Sequence, residues 1–462
     1  MTYTFGGSKN TMAVIAPFRG LTYDLNTRQD FSSLVAPPYD VISVEQLAAL
    51  YEANPHNVIR LILGKKKIGD SDWDNQYTRA ADFFKRWETE GTLIRGTTPS
   101  LYVTSLTYDP GNGDSNCTRW GIIALVRIEE EASGIILPHE RTFSAHKDDR
   151  LKLMRACSVQ FSQIFSLYED PENRVMELCR KGLSDNPHVS FPLQDGTLHR
   201  MWVLQDPSVL KKVTEAFRPK ILFIADGHHR YETARNYRNI MRARHGKKPV
   251  NRSYEFAMMY LTNLDDRGLT ILPSHRLIKR SPDFRIKPFL KTMGEWFEIR
   301  KIPLTEKGLS SDAMAFRTAI SEAGKNRSAI GFFFNGADSG YLFSLKEGIR
   351  KEMGSDLHPA LQKLDVLVLS RFILQRALGF RKEDLDDEEI FQYQSSVKFA
   401  LSSVKSGDFQ MAFLLNPTKI GQVRKIAGLS LVMPRKSTYF YPKVLSGLVF
   451  NKIDPHEIIQ TP

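Results

Sequence analysis

A short apolar strand that ends abruptly in charged residues constrains this chain more than any other stretch. Residues 221–225 are apolar and predict a buried strand. Asp226 and Gly227 break the strand with a turn, and a helical pattern follows from about Tyr231. The turn therefore carries an acid, a glycine, two histidines and an arginine where a strand meets a helix.

This combination of residue types is typical of a phosphate site. Histidine and arginine side chains can bind phosphate oxygens, and a helix N-terminus adds partial positive charge and N–H donors. The Asp226 carboxylate can hold a divalent cation, and Gly227 lets the backbone approach a ligand closely. The residues alone leave open the alternative of a plain turn with structural histidines.

A second apolar run, residues 135–137, is also followed by polar, reactive side chains. Pro138 keeps the preceding residue extended and ends the predicted strand. The loop that follows begins with an imidazole, a carboxylate and a guanidinium: His139, Glu140 and Arg141.

Two cations stand at the start of the next predicted helix, which is expected from about Asp148. Lys147 and Arg150 are three residues apart, so both can face one side of that helix. Beside a helix N-terminus they predict a second phosphate subsite. An ordinary charged first turn is the alternative.

Strand-like and helix-like stretches alternate loosely along the 462 residues, which predicts an α+β (mixed α/β) fold. Strands are predicted at residues 57–63, 198–204 and 256–264, a hairpin at 101–108 and 118–128, and a helix with apolar residues at helical spacing from Trp73 to Trp87. A capping-box pattern at Ser43 predicts a helix that ends near Asn54.

Composition narrows the compartment and the partners. The chain has three cysteines and no CxxC pattern, which favours a reducing compartment. No apolar run is long enough to span a membrane. We therefore expect a cytoplasmic protein. The formal charge of +12 favours anionic ligands. Because the basic residues are scattered and form no long basic arm, binding to nucleic acid is not expected.

The familiar nucleotide-binding patterns are missing from the sequence. There is no Gly-rich loop ending in Lys-Ser/Thr and no protein-kinase signature set. A phosphate site in this chain would therefore be built in another way, from the residues after the two apolar runs.

The stretch Asp-Gly-His-His-Arg at 226–230, followed by Ala234, resembles the signature of free-serine kinases of the ParB/sulfiredoxin fold. The whole chain resembles a bacterial and archaeal family long catalogued as a domain of unknown function, whose members include diphosphate-dependent L-serine kinases. The motifs that carry this resemblance run from Ala-Pro-Pro-Tyr-Asp-Val at 36–41 to Met-Pro-Arg-Lys-Ser-Thr-Tyr at 433–439. It implies a ParB/sulfiredoxin-like core at 131–270, between an N-terminal α/β part at 1–130 and a C-terminal α/β part at 271–462.

The resemblance also implies an activity: phosphoryl transfer from diphosphate to L-serine, with Mg²⁺ as cofactor. Glu140 matches the general base, while Asp226, which would hold the metal, and His229 complete the catalytic set. The residues expected to bind substrate or phosphate are Asp40, His139, Arg141, Lys147, Arg150, Gly227, His228, Arg230, His275 and Lys436. All this requires Glu140 and the imidazoles of His228 and His229 to share one cleft.

Several alternatives stay open at this point. The donor can be diphosphate, ADP or ATP, because relatives that use each donor share the short motif. The rival functions are a phosphatase or other phosphate-ester hydrolase that uses the same loop, and a ParB-like nucleotide- or DNA-binding module. The expected partners are two small molecules, L-serine and diphosphate, and association with a membrane is not expected. Assembly into a homo-oligomer is left open.

Overall fold

The structure, a computed structural model, describes residues 13–26, 30–111, 116–138, 144–305 and 308–462. These residues fall into two compact units. The first unit contains the described residues up to 138, residues 144–270 and the C-terminal segment 442–462; the second contains residues 271–441.

The strands, in chain order, are β1 (Ile15–Ala16), β2 (Leu21–Tyr23), β3 (Leu93–Arg95), β4 (Leu101–Tyr108), β5 (Cys117–Arg127), β6 (Ile136–Leu137), β7 (Val159–Gln160), β8 (Ile164–Tyr168), β9 (Val189–Pro192), β10 (Leu198–Leu204), β11 (Leu222–Asp226), β12 (Phe256–Asn263), β13 (Thr270–Leu272), β14 (His275–Ile278), β15 (Phe297–Pro303), β16 (Ala329–Phe334), β17 (Ser339–Leu345), β18 (Phe391–Gln394), β19 (Met411–Leu415), β20 (Tyr439–Tyr441) and β21 (Asn451–Lys452).

The helices are α1 (Val44–Ala53), α2 (Ile59–Ile62), α3 (Gln76–Thr89), α4 (Ser144–Cys157), α5 (Arg174–Arg180), α6 (Pro207–Phe217), α7 (His228–His245), α8 (Ile286–Trp296), α9 (Leu309–Ala323), α10 (Pro359–Gln362), α11 (Asp365–Val368), α12 (Val397–Lys405) and α13 (Ile420–Gly428). A π-helical stretch, Leu369–Ala377, continues α11. No helix within the described ranges is both long enough and apolar enough to cross a membrane.

The first unit is built on a mixed sheet with the strand order β6-β11-β8-β12-β5-β4-β10-β9, and β1 pairs with β5. β11 runs parallel to β6 and β12 runs parallel to β8, whereas the other pairs are antiparallel. Helices α5, α6 and α7 contribute Met176, Phe217 and Tyr231 to the same buried cluster as Ile224 and Leu261 of the sheet. Burial of this apolar surface holds the start of α7 at the end of β11.

The second unit is an antiparallel sheet with the strand order β15-β17-β16-β19-β14-β18. Helices α9 and α12 pack Phe316, Ile320 and Leu401 into the cluster that also contains Leu277 and Leu414 of the sheet.

The mixed α/β class predicted from the sequence is confirmed, while the ParB/sulfiredoxin relation and the three-part division of the chain stay predictions. The hairpin is confirmed as β4–β5, and the capping box at Ser43 is present. The strand predicted at 57–63 is wrong, since α2 occupies that stretch and the Asn57 side chain accepts a hydrogen bond from the Ile59 N–H at its start. The prediction that Trp73 belongs to the apolar face of the following helix is also wrong, because α3 begins only at Gln76 and the Trp73 side chain is 91% exposed.

Candidate functional site

The candidate site begins at an irregularity in β11. Ile224 lies opposite Ser166 of β8, but Asp226 lies opposite Phe165, so the register of the two strands shifts just before the acid. A bulge of this kind redirects the side chain that follows it. Asp226 is thus the last residue of a buried strand and remains only partly buried.

Gly227 connects β11 directly to α7. Its φ of +89° lies in the left-handed region, and a Cβ at this position would lie 2.8 Å from the Arg230 Nε atom. Both facts favour glycine here. The sequence pattern predicted α7 from about Tyr231, but the helix begins at His228, since the left-handed glycine turns the chain within one residue. His228, His229 and Arg230 therefore occupy its first turn.

The Asp226 carboxylate lies between two cations. The Arg230 side chain donates to Oδ2 at 2.5 Å, and the Lys443 Nζ atom donates to Oδ1 at 2.6 Å. The three side chains are only 11–15% exposed. Arg230 also donates to the carbonyl oxygen of Gln163. Arg230 is therefore fixed from two sides at the beginning of α7.

A cleft in the first unit opens beside this ion-paired group. Arg150 and Arg230 line it together with Tyr39. The remaining wall is largely apolar and comes from α4, α7 and the neighbouring strands, with Leu153, Met154, Ile164, Ala234 and Met258. Two arginines that the sequence separates by 80 residues thus line one apolar-walled cleft.

Tyr39 and Arg150 are held against each other at the cleft. The Arg150 guanidinium carbon lies 4.1 Å from the centre of the Tyr39 ring, a cation–π contact. Arg150 also donates to the Asp149 carboxylate and to the carbonyl oxygen of Ile62. Burial, followed by the charge of Asp40, raises the pKa of Tyr39 to about 12, and the charges of Arg150 and Arg230 oppose that rise. Asp40 and both arginines are therefore close enough to Tyr39 to act on its phenol electrostatically.

Lys147 also lies in this region, though in a different role from Arg150. Helix α4 begins at Ser144, earlier than predicted, and Lys147 pairs with Glu232 of α7 at 2.8 Å. This ion pair joins α4 to α7 beside the cleft. The cluster of cations predicted at the start of α4 is thus divided between the cleft and a helix–helix contact.

Two predicted ligands belong to the second unit. His275 lies in β14, is 1% exposed, and accepts a hydrogen bond from the Leu415 N–H through Nδ1. Burial lowers the pKa of His275 to about 3. These are the features of a neutral core histidine, so the geometry of this ring gives no support to substrate binding. Lys436 lies in the loop before β20, and its carbonyl oxygen accepts a hydrogen bond from Arg276.

Three predicted residues, His139, Glu140 and Arg141, lie outside the described residues. The expectation that Glu140 shares a cleft with His228 and His229 therefore stays a prediction. His228 is 7% exposed and His229 is half-buried in the first turn of α7.

The expected Mg²⁺ ion does not fit the described residues as they stand. Among them, no group of three or more His, Cys, Asp or Glu side chains could hold a metal ion. Both oxygens of Asp226, the expected ligand, already accept hydrogen bonds from cationic side chains. In this structure the Asp226 carboxylate pairs with Arg230 and Lys443, and a metal at Asp226 stays a prediction.

Sequence reasoning missed two side chains of the site. Lys443 belongs to a basic loop in which Lys436 was singled out, and nothing in the spacing distinguishes the two lysines. Thr233 lines the cleft from α7, is 1% exposed, and its Oγ1 atom has no hydrogen-bond partner among the described residues. Helical spacing from Arg230 could have indicated Thr233, because residues three apart share a helix face.

Three solved structures illustrate what the chain is similar to. A free serine kinase in complex with AMP is 11% identical, with a TM-score of 0.34 over 70% of this chain and 90% of that one. A conserved hypothetical protein from Pyrococcus furiosus is 12% identical, with a TM-score of 0.30 over 67% and 89%. C-terminally truncated SbnI from Staphylococcus aureus is 9% identical, with a TM-score of 0.32 over 70% and 85%. TM-scores of this size do not establish a shared fold.

No curated protein matches the chain. A family model does: the one described as "Protein of unknown function (DUF1015)" matches residues 15–367. This range includes Tyr39, Arg150 and the whole stretch 226–230. The protein is a member of the DUF1015 family.

Proposed function

We propose that this protein is a free L-serine kinase that transfers a phosphoryl group from diphosphate to L-serine, giving O-phospho-L-serine and phosphate. The observation that carries the proposal is the junction of β11 and α7. There Asp226, Gly227 and the first turn of an 18-residue helix place Arg230 on the wall of a cleft that Arg150 also lines. Two guanidinium groups near a helix N-terminus suit a ligand with several phosphate oxygens.

The reaction needs charge neutralisation and positioning more than covalent chemistry by the protein. The serine hydroxyl oxygen forms a bond to one phosphorus atom, the bridging P–O bond of diphosphate breaks, and phosphate leaves. Arg230 and Arg150 stabilise the charge on the transferred group and the leaving phosphate. The hydroxyl proton passes to Glu140, a role that rests on the family resemblance. Mg²⁺ is expected to arrive with the donor, because this ion is usually bound largely through substrate phosphates.

The test is a donor and acceptor matrix with the purified full chain. L-Serine and Mg²⁺ are incubated with diphosphate, ADP or ATP, and phosphoserine is measured by phosphorus NMR and mass spectrometry. Phosphoserine with diphosphate supports the proposal, and phosphoserine with only ADP or ATP keeps the kinase but corrects the donor. No phosphoserine with any donor rejects the kinase. Phosphate release that does not require L-serine indicates a phosphate-ester hydrolase instead.

Replacement of the proposed base is the next experiment once a donor is known. Glu140→Gln keeps the size of the side chain and removes its proton affinity, so turnover should fall by about two orders of magnitude or more. Glu45→Gln, on exposed α1, is the matched control. Near-normal turnover in Glu140→Gln would assign the base to another residue.

A further inference from the structure

The C-terminal segment supplies Lys443 to the candidate site from far along the chain. Lys443 and Asp226 are 217 residues apart in sequence, and their 2.6 Å contact is among the less exposed ion pairs of the first unit. Their side chains are 14% and 15% exposed, compared with 39% and 25% for Lys452 and Glu88 in the same segment's other lysine pair. Removal from water strengthens such a pair and also makes it costly to leave either partner alone.

The backbone that carries Lys443 is anchored independently of this ion pair. Ser446 exchanges two backbone hydrogen bonds with Ala36, and its hydroxyl lies 2.6 Å from that of Ser162, a residue of the cleft wall. Phe450 exchanges two more with Leu21. Residues 443–450 are therefore part of the framework of the first unit, and Lys443 starts from a fixed backbone position.

The ion pair contributes to the geometry of the site. The Asp226 carboxylate lies between the positive charges of Arg230 and Lys443. Because Lys443 occupies Oδ1, the carboxylate presents Oδ2 to Arg230. Without Lys443, the carboxylate would lose the contact at Oδ1 that orients it, and Arg230 could be drawn away from the cleft with it.

We infer that Lys443 is a positioning residue for the phosphoryl donor: it holds the Asp226 carboxylate so that Arg230 faces the cleft. The inference rests on the proposed function, because it assigns Lys443 to that same site. The family match ends at residue 367, so it gives no indication of this role.

The experiment compares Lys443→Met, Lys443→Arg and the matched control Lys452→Met in the full chain. Steady-state kinetics gives kcat and the KM for each substrate, and calorimetry with sodium diphosphate gives Kd independently of turnover. Lys443→Met should raise the KM and Kd for diphosphate about tenfold or more, as expected for a lost charged contact. The KM for L-serine should stay within about twofold. Lys443→Arg should restore most of the loss, and Lys452→Met should behave as wild type.

A double-mutant cycle separates positioning from simple structural support. If Lys443 acts through Asp226 and Arg230, Lys443→Met should weaken diphosphate binding by no more than about twofold in an Arg230→Met background. Full additivity of the two losses overturns the inference. If Lys443→Met does not fold, as judged by circular dichroism, Lys443→Gln replaces it, because it keeps a donor for Asp226 and removes the charge.

Failure of this inference can be told apart from failure of the proposed function. A wild-type chain that makes phosphoserine, together with a Lys443→Met variant of unchanged diphosphate KM and Kd, overturns the inference alone. A wild-type chain that binds diphosphate but makes no phosphoserine with any of the three donors rejects the kinase, and the Kd values still decide the role of Lys443. A wild-type chain that binds no diphosphate and makes no phosphoserine with any of the three donors overturns both.

Discussion

Two histidine–arginine groups in this protein have similar residues and opposite surroundings. In the first unit, His228, His229 and Arg230 follow the end of β11 and form the first turn of α7. In the second unit, His275 and Arg276 lie inside β14, between β18 and β19. Both groups follow an apolar stretch in the sequence, and both contributed predicted ligands.

The difference lies in where each strand ends. Arg230 leaves the sheet at the strand–helix junction and lines a cleft. Arg276 stays in the sheet region, stacks over Tyr393 at 4.3 Å, and donates to Ser274 through its side chain. Both arginines are hydrogen-bonded within the protein, but only Arg230 is among the residues that line the cleft. Position relative to the strand end therefore distinguishes the two arginines, although their residue type is the same.

The sharpest test of this comparison exchanges the two arginines for alanine, one at a time. If the proposed function is correct, Arg230→Ala removes a cation that stabilises developing phosphate charge, so kcat/KM should fall about 10²- to 10³-fold. Arg276→Ala removes contacts inside the second unit and should mainly lower the free energy of unfolding, by about 1–3 kcal/mol. The measurements are phosphoserine formation per folded molecule and urea unfolding. Equal losses of turnover in both variants would break the comparison.

The second test uses pH to ask whether His275 is a core residue. Its pKa is lowered from 6.5 to about 3 in the folded chain. At pH values between these two numbers, the unfolded chain therefore binds more protons than the folded chain. The stability that the neutral ring contributes is complete above pH 6.5 and is lost as pH falls below it, by about 2 kcal/mol at pH 5.

His275→Gln provides the control for this pH effect, because glutamine keeps an acceptor for the Leu415 N–H and does not titrate. The variant should have a lower free energy of unfolding than wild type at pH 8, and this difference should become smaller or change sign at pH 5. Urea unfolding of both chains at the two pH values measures this. A gap that does not change with pH would mean that His275 is not held neutral by burial.

Local chemistry predicted much of the fold. The apolar run of β11 and the hairpin β4–β5 both follow from short-range rules. The same rules gave the wrong element for residues 57–63, because apolar residues at this spacing suit a strand as well as a helix. The Asn57 side chain also donates hydrogen bonds to the Ser33 and Val35 carbonyl oxygens, tertiary contacts that no local rule includes.

The candidate site was predictable where it follows a strand end and unpredictable where it depends on pairing. Asp226, Gly227 and Arg230 were found because a turn interrupts an apolar run. Lys443 was not, because an ion pair between residues 217 apart leaves no trace in sequence spacing. Lys147 illustrates the same limit, since its pairing with Glu232 depends on how α4 packs against α7.

The smallest expected effect comes from glycine, at the two ends of α7. Gly227 and Gly246 have φ values of +89° and +85°, so alanine at either position should cost about 1–2 kcal/mol of stability through backbone strain. Only Gly227→Ala places a Cβ against the Arg230 guanidinium, 2.9 Å from its carbon; at Gly246 nothing lies within 4 Å. If the strand end sets the direction of Arg230, both variants should lose thermal stability, but only Gly227→Ala should lose turnover, by about tenfold. Thermal unfolding and phosphoserine formation, measured on the same samples, separate the two effects. Equal turnover in both variants would show that Arg230 reaches the cleft regardless of how the chain leaves β11.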